Sequence, residues 1–303
     1  MNWTPSLAAL HTRLCGALVI VAALTFPALG AGPGKAGDRV ALVGKTAIIE
    51  QDISYKIQIE KAYRNEGATR EAAFVSLVND AIEHEIAAIH DVAITREEMD
   101  SFKRHVDDHT KAPEILQKVK ALFADDLISY ERLYLAPKII NRKLRYFCAR
   151  SSEIHENQRS LIEKAYGLVV SGKSFQEAAE QCGLKYASFD TEGKGTELGA
   201  DIQRIVGKEN MVEHSPLISV LETLTAGEIY GKIVEDECSY RVIRLVRRNG
   251  GTYTAEAVTV NKRPFDEWLR QEASKIRIGI LEQTLRDNVQ VEYHHLWWAK
   301  TLR

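Results

Sequence analysis

The stretch that decides the fold is residues 69–89, TREAAFVSLVNDAIEHEIAAI, in which apolar side chains recur at three- and four-residue spacing. Positions three and four apart lie on one face of a helix, so this pattern predicts a long helix that begins after Thr69 and buries one stripe. The stripe consists of Phe74, Leu77, Val78, Ala81, Ile82, Ile86 and Ile89. These residues are expected to belong to the core of the molecule.

A short hairpin is expected before this helix. Residues 40–43 (VALV) and 46–49 (TAII) are strand-like runs separated by Gly44 and Lys45, a spacing that suits a two-residue turn. Asp52 can then cap a helix that leads towards the long one.

Further helices are expected after the long one. Thr95 and Glu98 form a capping box, Pro113 suits a first helical turn, and residues 127–135 predict another helix that Pro137 interrupts. Residues 39–143 are therefore predicted to form the N-terminal part of a helical domain.

A second pattern begins near residue 144 and predicts a small α+β domain over residues 144–250. The predicted elements are a strand at 144–149, helices at 161–170, 174–183 and 217–224, and strands at 229–234 and 240–246. Ser174 and Glu177 provide the capping box of its second helix.

The C-terminal tail, residues 251–303, reverts to a helical pattern. Pro264 opens a run whose apolar residues share a helical face, and a strand-like segment follows at 289–293. The run contains Phe265, Trp268, Leu269, Ile276, Ile280 and Leu285. A lone amphipathic helix requires a partner, so the tail is expected to return and pack on the N-terminal helices. Together these elements predict an α+β fold.

The first thirty residues have the layout of a secretory signal. Arg13 precedes an apolar run at 14–29, and the small residues Ala28 and Gly30 suit a cleavage site before Ala31. The run is shorter than the ~20 apolar residues that span a bilayer, although an uncleaved anchor is the alternative. The chain is therefore expected to be exported and periplasmic, or membrane-anchored facing the periplasm, and residues 31–38 are expected to form a linker.

Composition excludes several classes of function. Hydrophobic residues make up 45% and charged residues 27% of the chain, as in ordinary globular proteins, and 40 basic against 42 acidic residues give a net charge of -2. A general nucleic-acid binder would show a basic surplus, so no nucleic-acid partner is expected. The basic clusters are interpreted as solvated faces; they are Arg142, Lys143 and Arg145, and Arg244, Arg247 and Arg248.

No metal or cofactor is expected. His105 and His109 have the i, i+4 spacing that zinc could use, but His109 falls near the expected helix end. The sequence contains no Walker motif, dinucleotide fingerprint or serine nucleophile elbow. The three cysteines after the signal, Cys148, Cys182 and Cys238, allow either one disulfide and one thiol or three thiols.

The layout resembles the exported parvulin-type folding factors, the group that includes SurA, PrsA and PpiD. The local matches lie at residues 40–49, 77–83 with 92–98, 171–179, 198–199 and 224–229. They correspond in order to the family's opening hairpin, its L-hydrophobic-x-x-x-I-E … G-hydrophobic-x-hydrophobic-T-x-E-E run, its G-x-x-F-x-x-L/A-A helix, the end of its G-G-x-L-G turn and its L-x-x-G-E-I segment. The doubled glycine of that turn is missing here. The resemblance implies a helical chaperone domain, built from N- and C-terminal segments, around an inserted parvulin-like prolyl isomerase domain.

The resemblance also implies positions for a proline-binding site. Met211 and Leu217 match the apolar positions with which the family grips the proline ring, and Ile243 lies in the matching last strand. Two histidines usual in the family are absent, because Phe147 and Arg241 occupy their positions. Alternatively, Met211 and Leu217 simply fill the core of the small domain.

These features give three expectations of function. The first is an exported chaperone or folding factor that binds unfolded or nascent exported polypeptides, with weak or no isomerase activity. The second is an active prolyl isomerase with a rearranged site, since rotation about a prolyl bond breaks no bond and needs only a suitable pocket. The third is an accessory protein dedicated to one secretion or envelope-assembly system.

Overall fold

The computed structural model describes residues 38–63, 67–124, 126–192 and 216–302. The predicted signal, most of the predicted linker and Met211 lie outside these residues. The fold is α+β, with helices and two antiparallel sheets, which agrees with the predicted class.

The N-terminal part follows the predicted hairpin, but its first helix begins at Glu50, so Asp52 lies in the first turn and not at the cap. Its elements are β1 (Arg39–Val43), β2 (Thr46–Ile49), α1 (Glu50–Ala62), α2 (Arg70–Ile89), α3 (Arg96–His109), α4 (Pro113–Phe123), α5 (Leu127–Tyr130) and α6 (Ala136–Arg150). The Thr69 side chain accepts a hydrogen bond from the Ala72 amide at 3.1 Å, and Thr95 and Glu98 form the predicted capping box. Pro113 opens α4 as predicted.

The predicted interruption at Pro137 is wrong, because the chain continues through a π turn (Glu131–Leu135) directly into α6. The amide of Ala136 donates to the carbonyl of Glu131, five residues back. In a regular α-helix the ring of Pro137 would clash with the carbonyl of Leu133, and the wider turn relieves that conflict.

The predicted strand at 144–149 is also wrong, and residues 144–149 belong to α6. Ile140, Leu144 and Cys148 recur every four residues and are all buried, so the helical pattern of α6 runs through this segment. Phe147 therefore lies on a helix rather than on the first strand of a sheet.

The tail contains two helices and a strand where one helix and a final strand were predicted. These are α10 (Phe265–Ala273), β7 (Ile278–Ile280) and α11 (Gln283–Glu292), followed by a short 3-10 turn (Ala299–Thr301). β7 adds to β1 to give a three-stranded sheet of order β2-β1-β7. Residues 278–280 form a strand because they pair with β1, which is distant in sequence. Leu285 and Val289 are buried on one face of α11.

One hydrophobic core joins the tail to the N-terminal helices. Trp268, Ile280, Leu285 and Trp298 lie in the same buried cluster as Phe74 and the rest of the predicted α2 stripe except Ile89, which is 55% exposed. The indole Nε1 of Trp298 donates to Oδ1 of Asn79 at 3.0 Å. We call residues 38–150 with 264–302 the helical region.

The remaining elements form the sheet region, residues 156–261. They are α7 (Glu156–Val170), α8 (Phe175–Cys182), β3 (Lys185–Glu192), α9 (Leu217–Thr223), β4 (Val234–Glu235), β5 (Ser239–Asn249) and β6 (Thr252–Asn261). The Ser174 and Glu177 capping box of α8 and the helix α9 agree with the prediction. The sheet is antiparallel with strand order β3-β6-β5-β4, and α7 and α8 pack on one face while α9 packs on the other.

The boundary predicted at residue 250 falls inside a hairpin of this sheet. Gly250 and Gly251 both have positive φ, 57° and 101°, which suits a tight turn between β5 and β6. β6 pairs with both β5 and β3, so the sheet extends to residue 261. No helix within the described ranges is long and apolar enough to cross a membrane.

Candidate functional site

The positions expected to bind proline lie inside the sheet region's core. Ile243 has no exposed surface, and Leu217, at the start of α9, packs partly buried against the same cluster. A side chain without exposed surface cannot contact a ligand directly. The packing of Leu217 agrees with the alternative interpretation, in which Met211 and Leu217 fill the core of the small domain.

The two positions of the missing histidines lie in different regions of the fold. Phe147 lies on α6 in the helical region, whereas Arg241 lies on β5. Arg241 is committed to an ion pair, because its guanidinium donates to Oδ2 of Asp236 at 2.5 Å. Asp236 is buried and also accepts from the Ser239 hydroxyl at 3.0 Å, so this corner holds a structural carboxylate.

A groove of about 660 Å³ lies in the helical region, next to the segment that leads into the sheet region, and we call it the junction groove. One wall is the loop between α2 and α3, the other is the C-terminal half of α6, and the loop at 151–153 closes one end. The lining residues are Asp91, Val92, Ala93, Glu98, Lys143, Tyr146, Phe147, Arg150, Ser151, Ser152 and Glu153. Its volume falls in the range of ligand-binding pockets in proteins.

The apolar part of the junction groove is held by the tail. The ring of Phe147 lies 5.9 Å from that of Trp268 and 5.0 Å from that of His90, which fixes its position. Val92 and Phe147 are only partly buried. A ligand in the groove would thus meet a fixed apolar patch that belongs to the main core.

Charged and amphipathic residues surround that patch. The ammonium of Lys143 donates to Oε1 of Glu98 at 2.5 Å, and the guanidinium of Arg150 lies 5.3 Å from the ring centre of Tyr146. The pattern of an apolar patch with paired charges of both signs suits a binding surface for peptide segments.

The rim of the junction groove contains an unusual backbone conformation. Asp91 ends α2 with φ of 55°, in the left-handed region that favours glycine. The amide of Val92 donates to the carbonyl of Ala87 at 2.7 Å, which completes the helix cap and turns Val92 towards the core.

Buried polar contacts join the two regions beside this groove. His155 is fully buried; its Nε2 lies 2.7 Å from the carbonyl oxygen of Cys148, and its Nδ1 accepts the Arg263 amide at 3.2 Å. A carbonyl only accepts, so Nε2 carries the proton and the ring is neutral. Burial lowers the pKa of His155. Lys262, also buried, donates to the carbonyl of Ala149 at 2.5 Å and to Oε1 of Glu235 at 2.7 Å.

The cysteines and candidate metal ligands add no further chemistry in the described part of the chain. Cys148, Cys182 and Cys238 are free thiols; the first two are buried and the third is exposed. Burial raises the pKa of Cys148 to about 11, which makes it a poor nucleophile. Within the described ranges no group of three or more His, Cys, Asp or Glu residues is placed to hold a metal ion.

The junction groove was not predicted from the sequence. Lys143 was interpreted as part of a solvated face, yet it pairs with Glu98 from another helix. Arg145, from the same basic cluster, stacks on Phe265 of the tail, with its guanidinium carbon 4.3 Å from the ring centre. Tyr146, Phe147 and Arg150 lie within about one turn of a helix, and this spacing is the sequence signal that indicates a surface patch.

Comparison with models of known protein families gives no match, and no curated protein matches the chain.

Proposed function

We propose that this chain is an exported, periplasmic chaperone or folding factor that binds unfolded or nascent exported polypeptides in the junction groove. The observation that carries the proposal is the groove itself, with a fixed apolar patch and the Lys143–Glu98 charged pair beside it. Such a surface can accept many apolar segments without requiring one sequence.

The proposal includes a SurA-like arrangement, with a helical chaperone domain built from both ends of the chain and a parvulin-like insert. The shared core of α2, α10, β7 and α11 supports this arrangement. Several large apolar side chains are exposed on the helical region, and a surface that meets unfolded chains would use them. They include Ile89, Ile128, Leu281 and Val291, exposed by 55%, 77%, 62% and 74%.

Weak or absent isomerase activity is part of the proposal. Ile243 lies in the core, and Arg241 is paired with Asp236 where the resemblance places a histidine. A protease-coupled assay on a proline peptide tests this point, and we expect no acceleration over the spontaneous rate of tens of seconds. Clear catalysis would favour the isomerase alternative.

The binding proposal is tested by delayed aggregation of a chemically unfolded client, followed by light scattering. The protein is expected to delay aggregation at near-stoichiometric ratio. We expect Tyr146→Ala to weaken client binding by about fivefold or more, because Tyr146 lines the junction groove and truncating an aromatic anchor at an interface can cost more than about 1 kcal/mol. Tyr186→Ala, on the exposed surface of β3, is the matched control and should leave binding unchanged.

Failure of the unaltered protein to delay aggregation would refute the chaperone proposal. If the protein is active but Tyr146→Ala and Tyr186→Ala behave alike, the chaperone function stands and the junction groove is not its site. Pull-down from envelope extracts separates a general chaperone, with many partners, from an accessory protein with one.

A further inference from the structure

A second groove, of about 540 Å³, lies beside the π turn, and we call it the π-turn groove. It shares no lining residue with the junction groove. Its walls come from α1, α2, the π turn and the first half of α6, and its apolar surface comes from Ile59, Leu133 and Pro137. π turns often occur at functional sites.

Two tyrosines and a lysine form the polar centre of this groove. The hydroxyl oxygens of Tyr63 and Tyr134 lie 2.6 Å apart, and Nζ of Lys138 lies 3.3 Å from the ring centre of Tyr134. The two tyrosines use only one of their two hydroxyl hydrogens in this contact. In the described part of the chain, the Lys138 ammonium makes no hydrogen bond, so up to three N–H donors are available there.

The surroundings of Lys138 in the π-turn groove lower its pKa. Burial, reinforced by the nearby positive charges of Lys56 and Arg142, lowers its pKa to about 8, while Asp80 opposes that effect. Its charged form is therefore poorly compensated by the groove alone. A negatively charged ligand would supply the missing compensation.

The other charges in the π-turn groove restrict the ligand to a single negative charge. Lys56 is paired with Asp80 at 2.8 Å, and Glu83 accepts from Nδ2 of Asn141 at 2.8 Å. Burial raises the pKa of Glu83. Glu60 also lines the groove, and the Arg142 guanidinium lies 5.3 Å from the ring centre of Phe102. Glu60 and Glu83 repel a phosphate, with up to two negative charges, more strongly than a carboxylate with one, so a carboxylate better matches the single charge of Lys138.

We propose that the π-turn groove is a carboxylate-binding site, in which the Lys138 ammonium and a hydroxyl of the Tyr63 and Tyr134 pair donate to a carboxylate carried by a peptide segment. The carboxylate comes from an acidic side chain or from a chain terminus. The apolar surface of Ile59, Leu133 and Pro137 accepts the neighbouring part of the peptide. This site does not depend on the chaperone proposal, since it uses different residues.

The test is fluorescence anisotropy, in which three labelled short peptides are titrated with the purified protein. The protein is purified from cells that express all 303 residues. One peptide has a free C-terminal carboxylate and no acidic side chain, one is amidated and carries a single Glu, and one is amidated and neutral. We expect at least one of the first two to bind about tenfold or more tightly than the third, since a charge-assisted hydrogen bond is lost in the neutral peptide.

Variants then assign the effect to the groove. Lys138→Met, which keeps the length of the side chain, is expected to abolish the preference for carboxylate peptides, while Lys118→Met on the exposed face of α4 leaves it intact. If Lys138→Met does not fold, Tyr63→Phe is used and should reduce the preference. Affinity should also fall as pH rises through about 8, because the lysine loses its charge.

Equal binding of all three peptides, or an undiminished preference in Lys138→Met, would overturn the proposal. Preference for the Glu peptide alone assigns the source to side chains, and preference for the free terminus alone assigns it to chain ends. If the protein shows the preference for carboxylate peptides but fails to delay aggregation, the carboxylate-binding site stands and the chaperone proposal is refuted.

Discussion

The helical region and the sheet region bury their apolar residues in different ways. The helical region has one continuous core that takes residues from both ends of the described chain, from Val40 to Leu302. The sheet region has two smaller clusters, one on each face of a single sheet, and draws them from residues 162–258. The comparison indicates that the helical region depends on long-range closure by the tail, whereas the sheet region is contiguous in sequence.

The largest expected effect follows from removing the tail's main anchor. Trp268→Ala empties a site that is 2% exposed and contacts His90, Phe147 and Phe265, and it should lower the free energy of unfolding by about 3–5 kcal/mol. Urea unfolding measures the loss, and amide hydrogen exchange should accelerate in α2 more than in β5. Val291→Ala, on the same tail but 74% exposed, is the control. Equal acceleration in both regions would contradict the conclusion that the tail closes only the core of the helical region.

A smaller effect is expected at the link between the regions. Lys262→Met removes the ammonium that donates to Ala149 of α6 and to Glu235 of β4, so the free energy of unfolding should fall by about 1.5–3 kcal/mol. In calorimetry, the unfolding temperatures of the two regions should lie further apart in Lys262→Met than in the unaltered protein. The exposed Lys232→Met should change neither property. A single, unshifted transition in Lys262→Met would show that this lysine does not couple the regions.

The smallest effect concerns pH. Burial lowers the pKa of His155 and of His84, so the unfolded chain binds protons more readily than the folded one below the usual histidine pKa of about 6.5. The contribution of these neutral histidines to the free energy of unfolding is complete above about pH 6.5 and is lost as the pH falls below that value. The free energy of unfolding, measured between about pH 7.5 and 5, should depend less on pH in His155→Gln than in the unaltered protein. The exposed His295→Gln is the control, and identical slopes in all three would exclude the role of His155.

Local features of the fold could be predicted from the sequence because their causes are local. The capping boxes at Thr95 and Ser174 and the proline at the start of α4 each depend on residues within one turn. The long stripe of α2 was predictable because helical periodicity over many residues is a strong signal.

Features that depend on distant partners could not be predicted in this way. Residues 278–280 form a strand because β1 offers an edge to pair with. The π turn before Pro137 depends on how one helix passes into the next. The junction groove requires the loop after α2 to meet the C-terminal half of α6, and no local pattern records that contact. Gly250 and Gly251 carried a usable signal for the β5–β6 hairpin, which a domain boundary placed at 250 obscured.

The measurement that tests the central claim most directly is site-specific photo-cross-linking to an unfolded client. A benzoylphenylalanine in place of Tyr146 reports contact in the junction groove, and the same group in place of Tyr186 reports contact with the sheet region. The proposal predicts strong cross-linking at position 146, reduced by competing unlabelled client, and little at position 186. Equal cross-linking at both positions, or none at 146 while aggregation is delayed, would contradict the assignment of client binding to the junction groove.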